Sequence, residues 1–79
     1  MRVRLWLVAA LMFAVTAPAL ADRRSDAKVQ VDFGITCAQK DLWPRAVQQF
    51  IKATEIDPTY AAAWNNLAIG YEQLGQFDK

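Results

Sequence analysis

Trp64 to Tyr71 reads W-N-N-L-A-I-G-Y, and it follows A-V-Q-Q-F-I-K-A-T-E-I-D-P from Ala46 to Pro58. Trp64, Leu67, Ala68 and Tyr71 recur at the three- and four-residue spacing that lines one face of a helix. Ala46, Phe50 and Ala53 form a second such stripe, flanked by Val47, Ile51 and Thr54. The small Ala46 and Ala53 let that helix approach a neighbour while Phe50 fills the gap between them. Asp57-Pro58-Thr59 ends it, because the residue before a proline is pushed out of the α region. The spacing therefore predicts helices over about 44–56 and 60–74, with Gly75 as the stop of the second.

Upstream, Val29, Phe33 and Cys37 recur every four residues and predict a further helix over 27–40. Gly34 inside it costs about 1 kcal/mol of helix propensity relative to Ala, which suggests that another helix passes close to the backbone. Asp41-Leu42-Trp43 is the turn, and Pro44 suits the first position of the next helix, where a missing N–H loses nothing. Asp22 to Asp26 (DRRSD) is polar and lacks periodicity. It is expected to be a flexible leader, with Ser25 or Asp26 capping the helix that starts at Ala27.

Sliding the chain by 34 places lays Ala27 on Ala61, Phe33 on Leu67, Gly34 on Ala68, Ile35 on Ile69, Gln39 on Gln73 and Trp43 on Phe77. Agreement is concentrated at packing positions. That period, W-x-x-L-[GA]-x-x-Y at Trp64–Tyr71, and A-x-x-x-F…P at Ala46, Phe50 and Pro58 resemble the tetratricopeptide repeat. The resemblance implies an all-α fold of antiparallel helix–turn–helix units stacked as an α-solenoid. Residues 27–60 would be one full unit, and 61–79 the first helix and turn of a second, about one and a half repeats in all. Its packing set would be Phe33, Gly34, Ala46, Phe50, Ala53, Pro58, Trp64, Leu67, Ala68 and Tyr71. The first unit departs from the pattern: Gln30 stands in the Trp place, Cys37 in the Tyr place and Asp41 where Gly is usual.

Such repeats bind other proteins, and the first helix of each unit lines a concave groove. The matching places are Lys28, Val31, Ile35, Ala38 and Gln39, then Ala62, Asn65, Ile69, Glu72 and Gln73. Val31, Ile35 and Ile69 would form an apolar floor, while Gln39, Asn65 and Gln73 could bond a peptide backbone. The same residues could instead be ordinary contacts between stacked helices. A clamp for a partner's terminal carboxylate is not expected, because Val31 and Ile35 hold its first-unit places and Asn66 alone matches.

Residues 1–21 read as a secretory signal. Arg2 and Arg4 precede the apolar run Leu5–Val15, and Pro18 with Ala19-Leu20-Ala21 supplies a small-x-small cleavage site. The cut is expected between Ala21 and Asp22, which would make contact with the membrane transient and place the protein in a bacterial periplasm or beyond. The apolar stretch Leu5–Leu20 holds 16 residues and a proline, short of the roughly 20 that a spanning helix needs. A retained membrane tether on an assembly factor is the alternative.

The remaining residues, 22–79, carry seven Lys/Arg and eight Asp/Glu, scattered along the chain. Nucleic acid is therefore not an expected partner. Cys37 is the single cysteine and cannot close an internal disulfide. It reads as a small buried hydrophobe. With no histidine, a Ser, Thr or Cys nucleophile has no base of the usual kind. No metal-ligand spacing or glycine-rich phosphate loop is present, so no catalytic residue, metal or cofactor is expected. Glu55 and Asp57 read as a solvated helix end.

Repeat arrays usually need three units and a capping helix. The segment is thus expected to be the front of a longer, truncated array, with residues 22–79 alone weakly folded or self-associating through the uncovered last helix. The function expected is an exported scaffold for another protein or peptide. The alternative is the repeat segment of a larger exported enzyme, a protease or cell-wall hydrolase.

Overall fold

The computed structural model describes residues 2–75, with side chains from Ala19 onward. The turn expected over 76–79 lies outside these residues, and for the apolar core of the expected signal, Leu5–Val15, only the helical backbone is described. Three helices follow one another: α1 (Arg2–Gln39), α2 (Trp43–Ile56) and α3 (Ala61–Leu74). Helix α2 packs against both α1 and α3, and α1 and α3 also touch. This is the all-α, antiparallel helix–turn–helix arrangement that the 34-residue period implies.

The turns explain the boundaries. Helix α1 closes in a Schellman arrangement: the Leu42 N–H donates to the Cys37 carbonyl at 2.9 Å, and the Asp41 N–H to Ala38 at 2.9 Å. Asp41 takes the left-handed position, with φ of 62°, where glycine is usual. Asp tolerates that region better than most residues. Pro44 sits in the first turn of α2. Asp57 is extended ahead of Pro58, as a pre-proline residue must be, and its N–H closes the last turn of α2 on Ala53. Gly75 ends α3 with φ of 69°.

The core consists of Ala27, Val31 and Cys37 from α1, Ala46, Val47, Phe50 and Ala53 from α2, and Ala63 and Leu67 from α3. Phe50 is the largest fully buried side chain among the described residues. Its ring lies against the bare backbone of Gly34, where an added Cβ would come within 2.7 Å of Cδ1. Gly70 makes the same allowance for Val47, with a Cβ there 2.6 Å from Cγ2. Two glycines on two helices thus let α2 seat its bulky residues directly on its neighbours' main chains.

Helix α1 departs from expectation at its start. It does not begin at Ala27, Pro18 does not break it, and Asp22–Asp26 are helical with no flexible leader. Neither Ser25 nor Asp26 is a cap, because both lie inside the helix. The physical reason is tertiary: Arg24 reaches across to the α2–α3 turn and holds this stretch in register. Among the described residues no helix is long and apolar enough to cross a membrane.

Candidate functional site

Helices α1 and α3 both pack against α2, and their residues 34 apart in sequence can be compared directly. Ile35 is 36% exposed and its counterpart Ile69 is 49% exposed. Around them Lys28, Gln39, Asn65, Glu72 and Gln73 are exposed, and Ala38 and Ala62 are half-buried. Two aliphatic side chains flanked by amides and charges thus stand in solvent on one pair of adjacent helices. Burying each against a partner is worth about 1.5–3 kcal/mol at most, and the amides can both donate to and accept from a peptide backbone.

Val31, assigned by pattern to the floor of this groove, is instead buried to 3% in the core. It lies four residues after Ala27 and three before Gly34, on the face that meets α2. The buried face of α1 is therefore Ala27, Val31, Gly34 and Cys37. Phe33, assigned to packing, is 49% exposed, and Val29 is 61% exposed. The apolar residues of α1 cover two faces, and spacing alone does not choose which one α2 takes.

Helix α3 shows a related division. Leu67 is buried with Ala63 and Gly70, and Tyr71 is half-buried against the same core. Trp64 and Ala68, also assigned to packing, are exposed. They lie on the face corresponding to the α1 face that α2 covers, and no described residue covers it on α3. Trp64 is nonetheless fixed, its Nε1–H donating to the Pro58 carbonyl at 2.8 Å. Pro58 itself is exposed, and its role is in the turn. Ala46, Phe50 and Ala53 are buried between α1 and α3.

The turn between α2 and α3 carries the densest polar chemistry. Asp57 Oδ1 accepts from the Thr59 N–H at 3.1 Å and the Thr59 hydroxyl at 2.7 Å. Asp57 Oδ2 accepts from Arg24 Nε at 2.6 Å, and the guanidinium also donates to Thr59 Oγ1 at 3.2 Å. The guanidinium carbon lies 4.7 Å from the centre of the Tyr60 ring, a cation–π distance. The Thr59 hydroxyl and then the Arg24 guanidinium stabilise the carboxylate and hold the Asp57 pKa at about 2, below its usual 3.8. Sequence reading treated Asp57 as a solvated helix end. An acid preceding Pro-Thr at a helix terminus was the available local signal for the side-chain turn, but nothing local points to Arg24.

Ala19, Ala21 and Asp22, the residues around the expected cleavage point, are exposed on α1. Cys37 is a free, buried thiol. Among the described residues no group of three or more His, Cys, Asp or Glu could hold a metal ion, and every buried side-chain polar atom has a hydrogen-bond partner.

A family model described as TPR repeat matches residues 36–75, just over half of the chain. No curated protein and no solved structure matches it.

Proposed function

Because the chain belongs to the tetratricopeptide repeat family, we propose that it acts as an exported scaffold that holds another protein through the exposed faces of α1 and α3. Repeats of this family are generally protein–protein interaction modules and typically not catalytic. The observation that carries the reading is the pair Ile35 and Ile69, equivalent in the repeat and both exposed. Gln39, Asn65 and Gln73 flank them and supply backbone-directed hydrogen bonds without demanding a particular sequence. The occupant this suits is an extended peptide or one face of a partner helix with small apolar side chains.

Export rests on the order basic, apolar, Ala-x-Ala in residues 1–21. The proposed mature chain begins at Asp22. Mass spectrometry of the exported protein should give that N-terminus, and a protein starting at Met1 would overturn the export claim. Binding is tested separately with a photo-crosslinking amino acid placed at Ile35, at Ile69 and at the exposed Gln48 of α2. Adducts to another protein should form from the first two sites and not from Gln48. Equal yields from all three sites would sink the groove.

A further inference from the structure

The outer side of α1, away from the proposed groove, carries an unbroken stripe: Asp22, Asp26, Val29, Phe33, Thr36 and, in the closing turn, Lys40. The steps alternate four, three, four, three and four residues, and every member is exposed. That is the repeat by which two helices keep a shared seam. Its two large apolar residues, Val29 and Phe33, are at the centre and are among the most exposed hydrophobic side chains described. Acid occupies one end of the stripe. The other end has Lys40, with Arg45 beside it across a hollow of about 210 Å³ that Phe33, Thr36, Cys37 and Leu42 complete.

From this distribution we infer that α1 pairs with α1 of a second copy, antiparallel, about a two-fold axis near Phe33. The antiparallel sense follows from charge. It lays Asp22 and Asp26 of each copy beside Lys40 and Arg45 of the other, whereas a parallel pair would set acid on acid and base on base. It also brings the centres of the two stripes together. Val29 of one copy then faces the Phe33 side of the other and the hollow next to it, a knob meeting a hole. Two like-charge approaches oppose the pairing: Asp32, beside Phe33, comes near its counterpart at the axis, and Arg23, next to Asp22, comes toward Arg45 of the other copy. The interface is isologous, as a two-fold requires, and it closes at two chains. It leaves Ile35 and Ile69 free, so each dimer would present two copies of the proposed binding face.

Sedimentation equilibrium and charge reversal on the expressed full chain test this. The expected result is a concentration-dependent equilibrium between one and two chains. Asp26→Lys alone and Lys40→Asp alone should each weaken the dimer about tenfold, since each turns two attractions into repulsions. The double variant Asp26→Lys/Lys40→Asp should return to within about threefold of the original, because the pairing is restored with its signs exchanged. Phe33→Glu should abolish the dimer with no change in helical circular dichroism, Phe33 being outside the core. A monomer at every concentration overturns the inference. So do single reversals without effect, the result expected if the apolar run Leu5–Val15 drives association, and so does a double variant as weak as the singles.

Discussion

Gly34 has no room for a methyl group. A Cβ there would sit against the Phe50 ring, within 2.7 Å of Cδ1. Gly34→Ala gains about 1 kcal/mol in helix propensity, but overpacking a closed site costs about 1–3 kcal/mol. The net expectation is a loss of stability in urea unfolding, and replacing Phe50 by Leu in the same chain should recover part of it. Phe50→Ala should cost about 3–5 kcal/mol, because the ring is fully buried. Gln48→Ala, exposed on the same helix, should cost less than about 0.5 kcal/mol. Equal losses for Phe50 and Gln48 would contradict the packing described. The close approach at Gly34 was legible in the sequence because a mid-helix glycine needs a reason. Its neighbour Phe33 was not, since Val29-Phe33-Cys37 and Ala27-Val31-Gly34 are both helical stripes, and choosing between them takes the position of α2.

At the scale of elements, the link between α1 and the α2–α3 turn is polar and should be sensitive to acid. The folded pKa of Asp57, about 2, lies below the ordinary 3.8. A group depressed in this way adds stability above its unfolded pKa and loses it as pH falls through the folded one. Melting temperature should therefore drop between about pH 4 and pH 2 more steeply in the original chain than in Asp57→Asn, which has no carboxylate to protonate. Parallel curves would remove Asp57 from the clasp. The second turn has a different sensitivity. Asp41 is held at a φ of 62°, so Asp41→Val should lose about 1–2 kcal/mol in thermal unfolding, whereas Asp41→Gly should be tolerated. The helix ends at Pro44, Pro58 and Gly75 were readable because those residues act locally. The start of α1 was not. DRRSD is polar and aperiodic, and its order comes from an Arg24–Asp57 contact spanning 33 residues, which no window of sequence contains.

For the whole molecule, α2 lies between two helices of one kind, and the division of faces follows from that order. Leu67 meets α2, whereas Trp64 and Ala68 turn to the side that no described residue covers. Leu67→Ala should cost about 2–5 kcal/mol and Trp64→Ala distinctly less, measured by the same unfolding experiment. The repeat pattern grouped these residues as one packing set but could not say which of them have a neighbour, since that depends on assembly and not on spacing. The long α1 has one more implication. It is 38 residues long, about 57 Å at 1.5 Å per residue, and the molecule measures 60 × 25 × 15 Å. The proposed cut between Ala21 and Asp22 falls inside this rod, two residues before the one whose side chain grips Asp57. A protease needs its scissile bond unwound, so a chain that has closed its clasp hides the bond in helical hydrogen bonds. Maturation and folding would then race for the same few residues. A precursor that folds first would be trapped uncut, and loosening Arg24 should let late processing catch up.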